Sequence, residues 1–272
     1  MKTLENHMIL YDAECPLCKI YTNAFVKTGM LDTGGRSSYQ NKMGKFCPVI
    51  DQQRAVNEIA LVDLKNGEVT YGIKSLFKII GNAWPVFGPL FSFKPFVWLM
   101  SKIYAFISYN RRVIIPAKEN AGRFALQPTF KKHYRIAYLL FTWFYTGFIL
   151  TRYAHLLVGM VSLGNPLREY MICGGQIIFQ GLVISTFARE KLWNYLGNMM
   201  TVSLGGALLL TPVLILGMLF TLNPAIYAEY FITVTGLMFF EHIRRVSLLN
   251  LWWGVSATWL IYRILILFVI FR

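Results

Sequence analysis

Met8-Ile9-Leu10-Tyr11-Asp12-Ala13-Glu14-Cys15-Pro16-Leu17-Cys18 is the stretch on which the reading of the first half of the chain turns. Met8–Tyr11 is an apolar run that reads as a short buried strand, and the pattern from Lys19 to about Lys27 reads as a helix. Tyr21 and Phe25 share one face of that helix, and Gly29 suits its C-terminal cap. A strand running into Cys-x-x-Cys at a helix start puts the first thiol where free N–H groups and the helix dipole favour a thiolate. The second cysteine, one turn on, can then resolve a mixed disulfide. Pro16 fits the first helical turn, where a missing N–H costs nothing. Cys15 is therefore expected as nucleophile and Cys18 as resolving thiol, with Asp12 either a proton acceptor for Cys18 or a cap on the helix. Glu14 opposes thiolate formation and Lys19 favours it.

Other chemistry fits two cysteines at this spacing. They form half of a zinc site, for which Cys47 and His7 are the remaining ligands within plausible reach, or they persist as a redox-dead remnant. Cys47, followed by Pro48, is either half of an accessory disulfide or a small buried hydrophobe.

Outward from the cysteines, Ile59–Asp63 and Val69–Tyr71 flank Lys65-Asn66-Gly67-Glu68, and Asn-Gly between β-type runs is a hairpin signal. A helix is expected over Ile73–Ile80, stopped by Gly81, and a second strand near Ser37–Gln40. Strand, Cys-x-x-Cys helix, hairpin and helix in this order are the thioredoxin arrangement. The DAECPLC stretch, the LVDLKNGEVTYG hairpin, the IKSLFKIIG helix and Tyr109-Asn110-Arg111-Arg112 together resemble the DCC family of thiol-disulfide oxidoreductases over about residues 7–116. The family's Asp, Cys and Cys match Asp12, Cys15 and Cys18, and Ala13 stands where the family usually has Gly. The resemblance implies a thioredoxin-like fold and disulfide exchange. No proline precedes Ile59, where thioredoxins place the cis-proline that supports a bound peptide.

Composition describes the rest. The 272 residues are 56% hydrophobic and only 15% charged, with a mean hydropathy of +0.47 and a net charge of +14. A soluble domain carries about a quarter charged residues, so an ordinary cytosolic globule is excluded. Greasy and basic together fit a membrane protein facing anionic headgroups better than a nucleic-acid binder. Residues 1–135 hold 19 Lys and Arg against 9 Asp and Glu, and the remainder 8 against 4. The expected organisation is an α/β thioredoxin-like domain over 1–116, a basic juxtamembrane tether over 117–135, and an all-α transmembrane domain over 136–272. The N-terminus has no sustained apolar run of the signal-peptide kind, so the first domain is expected in the cytoplasm, with its cysteines resting as thiols. Phe87–Ile107 is apolar enough to suggest a sixth span, but Lys94, Pro95 and Lys102 interrupt it, and the family resemblance implies amphipathic helices packed on the domain or lying at the interface.

Five spans are expected, near Ile136–Leu163, Tyr170–Phe187, Gly197–Phe220, Ala225–Phe240 and Leu248–Phe271, each near the roughly 20 residues a bilayer needs. Positive charge before the first span (Arg111 to Arg135), at Arg189 and Lys191, and at Arg244-Arg245 places those loops inside. Arg152, His155, Gln176, Gln180, Glu229 and Arg263 are polar residues within spans, with Glu229 the expected partner of Arg263. They form either a lipid- or quinone-binding cluster or interhelical hydrogen bonds and snorkelling ends. Gly174-Gly175 and Gly205-Gly206 are expected at close helix contacts.

The function expected is that of a membrane-anchored, cytosol-facing oxidoreductase. Its redox group is the dithiol itself without a further cofactor, its partners are protein or small-molecule disulfides and membrane lipids, and it binds no nucleic acid. The alternative is a membrane protein that binds or transports a lipid, quinone or small solute, with the first domain as redox sensor or partner-binding module.

Overall fold

Strand β1 (His7–Tyr11) occupies the middle of a four-stranded sheet in the order β2-β1-β3-β4, with β2 Arg36–Ser38, β3 Ala60–Asp63 and β4 Val69–Tyr71. β1 runs parallel to β2 and antiparallel to β3, and β3 antiparallel to β4. Side chains alternate along a strand, and β1 uses both sides. Leu10 packs with Val56, Ala60 and Val62 on one face, whereas Ile9 packs with Leu31, Leu61 and Ile79 on the other. Helix α1 (Pro16–Lys27) follows β1, and α2 (Gln52–Asn57) precedes β3. The hairpin turns at Gly67, whose φ of +77° is the left-handed backbone such a turn requires. This small mixed sheet with helices is thioredoxin-like.

The computed structural model describes residues 1–39, 50–116, 129–220 and 222–270. Cys47, Gln40 and most of the expected tether (117–128) lie outside the described residues. The chain divides into two units, Met1–Tyr134 and Arg135–Arg272.

Helix α3 (Ile73–Ala83) runs through Gly81 rather than stopping there. A Cβ at that position would stand 3.4 Å from the Phe91 ring, an ordinary contact, and the glycine keeps helical backbone there. Beyond Trp84 a short turn (Pro85–Phe87) and α4 (Gly88–Ser92) meet α5 (Lys94–Ile114). The segments Pro85–Ser92 and Lys94–Ile114 are bent by 89° at Phe93, where Pro95 cannot donate a helical hydrogen bond. The rings of Phe77, Phe91 and Phe96 stack to hold the bend against α3.

The second unit is helical: α6 (Lys132–Ala154), α7 (Arg168–Phe187), α8 (Leu192–Leu219), α9 (Pro224–Leu248) and α10 (Gly254–Ile270). Arg168–Phe187 and Arg189–Leu219 are long and apolar enough to cross a membrane, and the bent pair in the first unit makes a third if counted as one span. These helices suggest a membrane protein. Ile178, Leu182, Ile232 and Phe240 are all exposed on the outer faces, as lipid-facing residues are. Two expected breaks fall elsewhere. α6 ends at Ala154, well short of Leu163, and α9 continues through Arg244-Arg245 to Leu248. Arg245 remains helical because Glu241, one turn back, and Asn198 on α8 accept its hydrogen bonds. A Cβ at Gly175 would meet the Tyr262 hydroxyl and one at Gly206 would collide with Met238, so both are close-contact glycines; Gly205 faces open space.

Candidate active site

Cys15 is itself the N-cap of α1. Its backbone is extended (φ −91°, ψ 110°), and its Sγ accepts the Cys18 backbone N–H at 3.4 Å. The sulfur thus does what a serine or aspartate oxygen does at other helix starts, satisfying one of the free N–H groups there. Asp12 shapes the turn before it. Its carbonyl accepts the Cys15 N–H at 3.1 Å, and its Oδ1 accepts the Glu14 N–H at 3.0 Å. The expected capping role for Asp12 is therefore displaced by one turn: it closes the approach loop, and the cysteine caps the helix.

The two thiols stand in opposite conditions. A hydrogen bond from the Cys18 side chain is the main reason the Cys15 thiol drops from its ordinary value to about 6. Burial and the Asp12 charge oppose that shift, whereas the Cys18 backbone N–H and the Arg111 charge support it. Cys18 moves strongly upward, because it donates to Cys15 and is buried; Arg111 pulls the other way. Tyr21 adds a hydrogen bond from its hydroxyl to the Cys18 sulfur at 3.8 Å. At neutral pH the pair is a thiolate at Cys15 and a thiol at Cys18, both held out of solvent.

Arg111 and Arg112 come from the last turn of α5, about a hundred positions along the chain, and turn inward. The Arg111 Nη2 donates to the Val56 carbonyl at 2.7 Å and to Asp12 Oδ2 at 3.2 Å, and its Nη1 donates to Ser108 Oγ at 3.2 Å. Arg112 bridges Asp12 and Glu14 at 3.4 and 3.2 Å. These two residues were expected among the positive charges leading into the membrane. They instead neutralise the carboxylates beside the cysteines, because a buried carboxylate at Asp12 needs a paired charge. Two acids just before the cysteines, at Asp12 and Glu14, were the available signal that cations must arrive from elsewhere.

Residues 9–115 match the model of the DCC1-like thiol-disulfide oxidoreductase family, a span that begins in β1 and closes just after the inward-turned arginines. The first unit carries a DCC1-like domain. No curated protein and no solved structure matches the chain. Within the DCC1-like domain the thioredoxin-like core supplies Asp12, Cys15 and Cys18, and α5 supplies Arg111. Tyr104, also on α5, accepts the Ile59 backbone N–H with its hydroxyl at 2.9 Å. The backbone N–H just before β3 is thus already taken. His7, the other ligand weighed for zinc, sits in β1, 2.8 Å from the Glu5 carbonyl and 3.7 Å from Asp63.

Outside the DCC1-like domain, the polar residues weighed either as a binding cluster or as interhelical hydrogen bonds and snorkelling ends divide. Gln176 and Gln180 are buried on one face of α7, and Arg152, His155 and Glu229 are exposed. Arg263 lies over the Trp259 ring at 4.0 Å rather than against Glu229. Gln180 anchors a buried network whose other members, Tyr195, His242 and Ser256, lie outside that set. The Tyr195 hydroxyl donates to Gln180 Oε1 at 2.8 Å and lies 3.1 Å from His242 Nε2, and His242 Nδ1 lies 3.1 Å from Ser256 Oγ.

Proposed function

We propose that the protein is a membrane-anchored thiol-disulfide oxidoreductase whose DCC1-like domain faces the cytosol and works through Cys15 and Cys18 without a further cofactor. The observation that carries this reading is the split between the thiols, one poised as thiolate near pH 6 and the other holding its proton. The Cys15 thiolate attacks a substrate disulfide, forms a mixed disulfide and expels one thiolate. Cys18 then gives up its proton and attacks Cys15 Sγ, which releases the second thiolate. Two electrons pass to the substrate, and the Cys15–Cys18 disulfide remains. In a reducing compartment such a dithiol acts as a reductase of protein or small-molecule disulfides.

Anchoring is supported by the helical unit, in which five helices would serve as five spans. Several of its basic groups gather at one end: Arg135 donates to the Trp193 carbonyl and Lys191 to the Leu249 carbonyl, close to Arg244 and Arg245, whereas Arg152 and Arg168 lie at the opposite helix ends. A cluster of this sign supports reading its end as the cytosolic one.

The test is trapping in cells with the full chain carrying Cys18→Ser. Mixed disulfides that require Cys15 are expected to accumulate. Absence of any trapped species, together with wild-type behaviour of Cys15→Ser, overturns the reading.

A further inference from the structure

Disulfide exchange through this pair asks two opposite things of Cys18. While Cys15 is a thiolate, Cys18 keeps its proton and donates to it. Once Cys15 is tied into a mixed disulfide, Cys18 has to ionise where it stands, at 6% exposure. A thiol in apolar surroundings resists ionisation, and Leu17, Ile73, Leu76, Ile103 and Ile107 line the cavity beside it. Resolution therefore needs a group that favours the Cys18 thiolate in place.

One hydroxyl reaches that sulfur. Tyr21 follows Cys18 by one turn of α1, so both side chains lie on one face of the helix. Its O–H donates to Cys18 Sγ at 3.8 Å. Such a bond strengthens when its acceptor becomes charged, so it favours the ionised sulfur over the protonated one. The Tyr21 ring is held edge-on against Phe25, with centroids 6.3 Å apart. Burial pushes the Tyr21 hydroxyl well above the ordinary tyrosine range, so it stays a donor wherever the thiols react. The other charged or titratable groups around the cavity are Asp12 before α1, Glu58 after α2, and Tyr104 and Arg111 on α5. The two carboxylates oppose a thiolate, and the Tyr104 hydroxyl meets the Ile59 N–H. The terminal nitrogens of Arg111 donate to Asp12, Ser108 and two backbone carbonyls, which leaves that residue to act on Cys18 through its charge.

We propose that Tyr21 is a catalytic residue of the resolving step, donating its hydroxyl hydrogen bond to the Cys18 thiolate as that sulfur attacks Cys15. This rests on the dithiol reading and deepens it. In the step, Cys18 loses its proton to a buffer base, and its electron pair forms the bond to Cys15 Sγ. The bond from Cys15 Sγ to the substrate sulfur breaks, and the substrate departs as a thiolate. Tyr21 keeps its own proton throughout.

The test uses dithiobis(nitrobenzoate), a symmetric disulfide that releases a coloured thiolate, on the full chain in micelles. Cys47→Ser and Cys173→Ser in the parent leave the pair as its remaining thiols. A first release reports attack by Cys15 and a second reports resolution by Cys18; adding Cys18→Ser leaves the first alone. Tyr21→Phe is expected to keep the first release and to slow the second about tenfold near neutral pH. The pH midpoint of the second release should also move up, with the two proteins converging in alkali, which lost packing alone would not produce. Tyr21→Met, also without a hydroxyl, serves if Tyr21→Phe does not fold. A second release within about twofold of the parent overturns the assignment, as does one slowed equally at every pH or no more than the first. No first release from the parent overturns the dithiol reading itself, and this assignment with it.

Discussion

In the DCC1-like domain a guanidinium, a carboxylate and two thiols are buried beside a cavity, whereas in the helical unit a glutamine, a tyrosine, a histidine and a serine close on one another. Both sets are out of water and both join distant parts of their unit. They differ in what is left over. In the helical unit both ring nitrogens of His242 have a neighbour within 3.1 Å, the ring stacks on Trp259, and Gln180 is engaged on both sides by Tyr195 and Thr258. A polar network matched in this way is interhelical glue. In the DCC1-like domain the balance is uneven: one sulfur is charged, the other is not, and Arg111 Nε is unmatched. The helical unit also leaves Trp259 Nε1 and Arg263 Nε unmatched, so what sets the cysteine site apart is the split between its two sulfurs.

The comparison can be broken first at Arg111. Arg111→Met leaves Asp12 buried with a weaker partner and is expected to lower stability by about 3–5 kcal/mol, read from the thermal or urea midpoint of the full chain. It should also slow Cys15 alkylation at neutral pH, because a charge that favours the thiolate is gone. An unchanged midpoint with unchanged Cys15 reactivity would mean that Arg111 belongs with the structural set.

A smaller effect sharpens the contrast between the thiols. Alkylation of Cys15 by iodoacetamide should rise through about pH 6 and then level off. Cys18→Ala removes the largest cause of the depression, so the midpoint should move up toward the ordinary thiol range. The variant should then react several-fold more slowly at pH 7 and equally at high pH, since only the thiolate reacts. A profile that stays near pH 6 in Cys18→Ala assigns the depression to the helix terminus and Arg111 instead.

The smallest effects are expected in the helical unit. Tyr195→Phe should cost about 1–3 kcal/mol of stability by stranding buried partners, with disulfide exchange unaltered. Glu229→Gln, at an exposed site, should stay within about 0.5 kcal/mol of the parent. A large loss of exchange activity in Tyr195→Phe would move the closed network into the working site.

What could be read from the chain follows distance along it. Strand β1, the capped cysteine helix and the Asn66-Gly67 hairpin depend on neighbours within a few positions, and the structure has them where local rules put them. The family resemblance rested on those segments together with the IKSLFKIIG helix and Tyr109-Asn110-Arg111-Arg112. Arg111 meets Asp12 across 99 positions, and no local pattern announces that meeting, so its charge was counted with the membrane-flanking basic run that follows it. The same reason hides the Tyr195–His242 contact, 47 positions apart. In apolar helices nearly every face looks buried, so partners cannot be chosen by periodicity. Arg244-Arg245 looked like a loop because charge usually ends a span; Asn198, on another helix, is what lets α9 continue.

The reach of Arg111 also orders events as the chain is made. Cys15 emerges from the ribosome early, the arginine that helps to hold it as a thiolate emerges last in its domain, and the wall of α5 arrives with it. Until that final helix docks, the Cys15 thiol lacks the arginine charge and stands beside unneutralised acids. Its full reactivity toward disulfides thus arrives only with the completed domain.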